Sequence, residues 1–223
     1  MCPLLEFRLL GYFEILSGSQ KLPKPATQKS QSLLAYLLLH RRAAPQKRDT
    51  LVSLFWGDRP ETKARGSLST ALWHIHRCLP GGTFLLTDGE TVQFNPQADI
   101  CLDVDEFSSR LSTDDMTVLA SGVDLYRGDL LDGFYDDWIV DERYQLQNQY
   151  CLALERLMSA QEAVGRFNEA LLTAQHLLRC DPLREDAHRL VMRAHCHLGQ
   201  RNAALTHYQT CRTTILAELG TEP

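Results

Sequence analysis

The segment GRFNEAL at residues 165–171 returns as GQRNAAL at residues 199–205, a 34-residue offset that keeps Gly165/Gly199, Asn168/Asn202, Ala170/Ala204 and Leu171/Leu205 identical. A glycine, an alanine five positions later and Pro182 twelve beyond Ala170 restrict this half of the chain to stacked helical hairpins. The small residues let the two helices of a hairpin approach closely, and the proline sets the break before the next pair. The period predicts helices near 141–164, 167–180, 184–198 and 201–219, with shorter ones between 104 and 126. Two repeats are few for a solenoid, so the helices from 104 to 140 are expected to cap the stack and tie it to what precedes.

What precedes has a different character. At 223 residues the chain calls for two domains of roughly 100 to 120 residues, and 44% hydrophobic residues suffice for two cores. Its longest near-continuous apolar run, Leu33 to Leu39, is too short to span a bilayer, and no basic segment leads into an apolar one at the N-terminus. A soluble cytoplasmic protein is the expectation. Seven cysteines, at 2, 78, 101, 151, 180, 196 and 211, include no Cys-x-x-Cys pair, which argues against a disulfide framework and a ribbon-type zinc site. Reduced thiols acting mostly as small buried hydrophobes are expected.

The net charge of −5 hides an asymmetry. Residues 1–99 hold 12 Lys+Arg against 8 Asp+Glu, a balance of +4, whereas residues 100–223 hold 11 against 20, a balance of −9. All five lysines lie in the first part. A basic head and an acidic body are compatible with a polyanion-binding domain followed by one with another task.

Leu5 to Leu16 alternates loosely around a Gly-Tyr break, as short strands of a small antiparallel sheet do. Gln28 to Arg42 carries Leu33, Leu34, Leu37 and Leu38 at helical spacing and ends in His40, Arg41 and Arg42, cations suited to a helix C-terminus. A shorter helix from about Lys47 to Trp56 closes at Gly57, Asp58 and Pro60. After a third helix, Gly81-Gly82 leads into two β-rich arms, Phe84 to Thr87 and Thr91 to Phe94. Asp88-Gly89 between them is the dipeptide that supplies positive φ angles to a two-residue hairpin turn. A small sheet, three helices and a hairpin make a winged helix-turn-helix over residues 1–98, whose third helix would enter the major groove and whose hairpin would meet the backbone or minor groove.

That third helix, Glu61 to Leu79, has two unlike faces. Ala64, Leu68, Ala71, Leu72, Ile75 and Leu79 form one apolar stripe. Lys63, Arg65, Ser67, Ser69, Thr70, Trp73, His74 and Arg77 face outward, and no carboxylate follows Glu61. A face of donors without acids for about four turns suits a partner that is negative and rich in acceptors, as the major groove is. Arg65, Ser69, Thr70, Trp73, His74 and Arg77 are therefore the candidates for base edges, with Lys47, Arg48, Lys63 and Thr87 for phosphates. Two alternatives stand beside them: Trp73 covering the domain surface, and Lys47 and Arg48 decorating the second helix.

The run from Leu51 to Leu79, with FWGDRP between the second and third helices and ARGSLSTALWHIHRCL as the third, resembles the OmpR/PhoB-type winged helix of SARP-type (antibiotic-pathway) regulators. Leu102 to Phe107 and the later LYRGDLLDGFYDDWIVDER (125–143) look like the entry and first helices of the bacterial transcriptional activation domain that follows the winged helix in those proteins. The two matches cover nearly the whole chain in the family's order. The resemblance implies a mainly α protein, a winged helix-turn-helix at 1–98 followed by an all-α TPR-like domain at 99–223. It also implies an activator bound as a homodimer to double-stranded promoter DNA, its helical domain serving dimerisation, RNA polymerase contact or signal reception. The sequence departs from the family where Trp73-His74 replaces a common Ser-Arg pair, and where Gly66 replaces a polar residue at a cost of about 1 kcal/mol relative to alanine. A neutral histidine offers one donor and one acceptor where an arginine offers a bidentate fork for guanine. Base preference is therefore not carried over.

Other chemistry finds little footing. His74/Cys78, His176/Cys180 and His207/Cys211 each put two potential ligands four apart on a helix, but no further ligands stand at fixed spacing. Asp136-Asp137 and Asp141-Glu142 read as a solvated turn and a helix entrance, and Trp138 as a core anchor. With no P-loop, nucleophile elbow or GxGxxG segment, the expectation is no enzyme, metal or cofactor. The alternative function is a TPR-like interaction or ligand-binding scaffold whose winged helix has lost DNA.

Overall fold

The computed structural model describes residues 5–79, 81 and 83–223, so Cys2 and Gly82 lie outside it. The chain divides into two compact units, one formed by residues up to Phe107 with Tyr126–Arg143, the other by Ser108–Leu125 with Tyr144–Pro223.

In the first unit, β1 (Leu5–Arg8) pairs antiparallel with β2 (Glu14–Ser17), which pairs with β3 (Gln20–Lys21). Three helices follow: α1 (Gln28–Leu39), α2 (Arg48–Trp56) and α3 (Glu61–Cys78). A second sheet has the order β4-β6-β5, in which β5 (Leu85–Thr87) and β6 (Thr91–Phe94) form the hairpin and β4 (Gln46–Lys47) precedes α2. The first sheet is closed by β7 (Ile100–Leu102), parallel to β1. Between the sheets and helices lies a core of Phe7, Phe13, Leu33, Leu34, Leu37, Leu38, Leu51, Ile75 and Phe94. Phe7 meets Phe94 edge-on at 5.9 Å, a favoured aromatic geometry.

The hairpin turn corrects one expectation. Neither Asp88 nor Gly89 has a positive φ; instead the Asp88 carboxylate accepts the backbone N–H groups of Glu90 and Thr91 and the Thr91 hydroxyl. A side chain thus supplies the turn that the dipeptide was expected to supply through its backbone.

Residues 126–143 complete this unit rather than capping the repeats. Leu131 N–H donates to the Leu9 carbonyl at 2.8 Å, and Gly11 exchanges bonds with Asp129 and Asp132. Leu131 itself holds φ at 53°, and the Arg143 guanidinium secures that bend by donating to the carbonyls of Leu130, Leu131 and Phe134. Asp136 accepts from Lys29 and from the Ser32 hydroxyl, which also receives the Trp138 indole N–H at 3.1 Å. Asp136 is therefore a clasp on α1, not merely part of a solvated turn, and Trp138 is a half-buried anchor. Buried Asp103 accepts the N–H groups of Leu9 and Leu10.

Helices dominate the second unit. It takes the end of α4 (Asp103–Leu111), then α5 (Met116–Val123), α6 (Trp138–Ala163) from Tyr144 onward, α7 (Phe167–Cys180), α8 (Glu185–His197) and α9 (Arg201–Leu219). Ala170, Ala174, Ala187, Ala194 and Ala204 are buried along the stack. Gly165 and Gly199 end α6 and α8 at φ 74° and 72°. In these two glycines the repeat conserves a left-handed helix terminus as well as a small side chain. Most described thiols are not core residues: Cys78 and Cys211 are buried, Cys101, Cys151 and Cys180 half-buried, and Cys196 exposed.

Candidate nucleic-acid interface

The stripe on α3 is buried as its spacing requires, with Ala64, Leu68, Ala71, Leu72 and Ile75 each less than a tenth exposed. That burial fixes which side remains outward: Lys63, Arg65, Ser69, Thr70, Trp73 and Arg77 are all exposed, while Ser67 and His74 are half-buried. Arg65 pairs with Glu61 at 2.9 Å and Asp49 at 3.1 Å, both highly exposed. The Arg77 guanidinium lies 4.8 Å from the Trp73 ring centre, so cation and indole form one stacked surface. His74 is drawn toward α1, its Nδ1 standing 3.2 Å from the Ser30 hydroxyl, and only part of its ring stays available. The hydroxyls of Ser67, Ser69 and Thr70 each donate to the carbonyl one turn back, at 2.9, 3.2 and 3.0 Å. Gly66 is exposed with open space where a Cβ would stand.

Concavities flank this face on both sides. Toward the hairpin, a hollow of about 470 Å3 is lined by Lys47, Arg48, Arg65, Ser69 and the turn residues Gly89 to Thr91, with Asp49 and Glu90 as its acids. Lys47 is exposed and Arg48 half-buried, and the Arg48 N–H donates to the Glu90 carbonyl, which docks the hairpin on the start of α2. Thr87 is exposed on the hairpin itself. The Asp88 carboxyl lies below the usual carboxylate range, chiefly because the Thr91 N–H binds its charged form.

Toward α1, a hollow of about 560 Å3 is lined by Thr27, Lys29, Ser30, Arg59, Lys63, Ser67, Thr70 and His74, over a floor of Trp56, Gly66 and Ala71. A smaller one brings Lys24 beside Trp73 and Arg77. The structure places the candidates chosen from the sequence on or beside α3, apart from Thr87, which is exposed on the hairpin, and adds Lys24, Lys29 and Arg59. The sequence carried a signal for these three in lysines either side of Pro25 and an arginine in the α2–α3 turn. Their proximity to α3 depends on tertiary packing that periodicity does not reveal. Among the described residues, no group of three or more His, Cys, Asp or Glu side chains is placed to hold a metal.

Comparison with known proteins bears on the same chain. Residues 109–223 match the profile of the family described as bacterial transcriptional activator domain. The chain belongs to that family. Similar proteins include the regulatory protein AfsR of Streptomyces griseus, 24% identical over 98% of this chain but only 23% of its own length. The transcriptional regulatory protein MoaR1 of Mycobacterium tuberculosis is 25% identical over 98% of this chain and 75% of its own. The chain therefore spans about a quarter of AfsR and three quarters of MoaR1. A solved structure of Mycobacterium tuberculosis EmbR, in complex with a low affinity phosphopeptide, superposes with a TM-score of 0.77 at 22% identity, covering 98% of this chain and 62% of EmbR. The SARP-type resemblance and the mainly α architecture with a winged helix hold. The family match includes Tyr126–Arg143, which pack with the winged unit. Among the described residues, no helix is long and apolar enough to cross a membrane.

Proposed function

We propose that this chain is a sequence-specific DNA-binding transcriptional activator that inserts α3 into the major groove of promoter DNA as a homodimer. One observation carries the reading: over an apolar stripe that is fully used in the core, α3 leaves a face of cations, hydroxyls and an indole with no carboxylate after Glu61. Arg65, Ser69, Thr70, Trp73, His74 and Arg77 meet base edges, and Lys47, Arg48, Lys63 and Thr87 meet phosphates. Exposed ion pairs such as those of Arg65 contribute about 1 kcal/mol or less, so a base or phosphate acceptor can replace its acidic partners. The acidic helical unit supports dimerisation, polymerase contact or signal reception; no catalytic step, metal or cofactor is assigned. The relatives' names as regulators and the family membership support this reading.

The test is binding to DNA fragments enriched from the protein's own genome. Affinity should fall steeply between about 50 and 200 mM salt, and Arg77→Ala should weaken the preferred site by roughly 1 to 3 kcal/mol. Wild-type binding that does not respond to salt, together with an Arg77→Ala variant that binds as wild type does, would leave the scaffold reading in its place.

A further inference from the structure

We infer that the hollow between α1 and the first half of α3 is a seat for a backbone phosphate diester, and that it anchors one DNA strand more firmly than the hairpin side anchors the other. The inference rests on the reading of α3 as the groove helix and adds residues and an asymmetry to it. Among the described residues, the hollow's lining includes Lys29, Arg59 and Lys63 with the hydroxyls of Thr27, Ser67 and Thr70, and contains no carboxylate. Its counterpart beside the hairpin mixes Lys47, Arg48 and Arg65 with Asp49 and Glu90; Arg65 is already paired with Asp49 and Glu61, and the acids oppose a phosphate at short range.

The three cations are not equivalent. Arg59 is steadied by a neutral partner, donating to the Ser67 hydroxyl at 3.2 Å, while its own N–H is fixed on the Trp56 carbonyl. That leaves the guanidinium oriented with its charge uncompensated, and its planar fork matches a phosphate. Among the described residues, neither Arg59 nor Lys63 has a carboxylate within ion-pair distance. Lys29 is different: Asp136 already holds its ammonium, which also lies 5.9 Å from the Phe55 ring centre. Arg59 and Lys63 therefore carry the seat, and Lys29 adds field rather than a direct bond.

The experiment uses the full chain and the duplex most enriched from sheared genomic DNA, with affinity followed across a salt series. Removing one phosphate-binding cation should reduce the slope of log affinity against log salt by about 0.9. Arg59→Ala/Lys63→Ala should therefore flatten the slope by nearly two, and more than Lys47→Ala/Arg48→Ala does. The charge-conserving pair Arg59→Lys/Lys63→Arg should restore most of it, which a loss of folding would not allow. A flattening below one, or one no larger than the hairpin-side pair produces, overturns the inference. Displacement of DNA from wild type, but not from the Arg59→Ala/Lys63→Ala variant, by inorganic phosphate at matched ionic strength supports the inference, because competition at the seat requires that DNA occupy it. Wild type without salt-dependent binding ends the functional reading and this inference together. An unchanged slope in a protein that still needs Arg77 for its preferred site ends this inference alone.

Discussion

Arg65 shows how an exposed guanidinium is held in place without being used up. Its two acidic partners stand one turn back on α3 and across at Asp49 on α2, and all three side chains are more than half exposed. Asp49 also lines the hairpin-side hollow, where a DNA phosphate would meet its charge. Asp49→Asn should therefore tighten DNA binding at low salt by up to about fivefold, the equivalent of about 1 kcal/mol, with the gain fading as salt rises. Weaker binding in a titration of the variant would mean that orienting Arg65 outweighs the repulsion. At this scale the sequence was legible where periodicity decides. The 3.6-residue spacing placed Arg65, Thr70 and Arg77 outward, and they are exposed. It did not place His74, which is half-buried and meets Ser30, 44 residues earlier in the chain.

Long elements with strong patterns were legible almost to the residue: α7 and α9 occupy the spans that the repeat predicted. Two-residue β4 and three-residue β7 carried no readable alternation and exist because their partners do. The meeting of α8 and α9 was equally hidden. His188 is buried, with Nε2 2.9 Å from the Pro182 carbonyl and Nδ1 2.9 Å from His207 Nε2. A carbonyl only accepts, so His188 is protonated at Nε2, and its bare Nδ1 accepts from His207 when both rings are neutral. Burial first, then His188 and His195, push the His207 pKa down from 6.5 to about 4. The unfolded chain consequently binds more protons than the folded one between these values. Stability from this site is complete above pH 6.5 and drains as pH falls toward 4. His207→Gln, which keeps a donor for His188, should flatten that loss in urea unfolding measured across the window. A variant with the wild-type slope would assign the acid sensitivity elsewhere.

Across the whole molecule, the charge asymmetry and the order of the two halves were legible, but the path by which the winged unit is closed was not. Its first strand is paired by residues 100–102 and its Leu9–Gly11 backbone by residues 129–132, long-range partners that no local pattern announces. A fragment of residues 1–98 lacks both. It should unfold with a broad, weak transition and exchange the β1 amides quickly, whereas the same amides in the full chain should be protected. Equal protection in the fragment would show that the later residues are dispensable. Since the polypeptide is made from its N-terminus, the clasp formed by Asp136, Trp138 and Arg143 is among the last pieces of this unit to be synthesised. A ribosome that stalls before Arg143, or a protease that releases only the front of the chain, yields a first unit without these partners. On the proposed function, half-made protein would in this way be kept from occupying promoters.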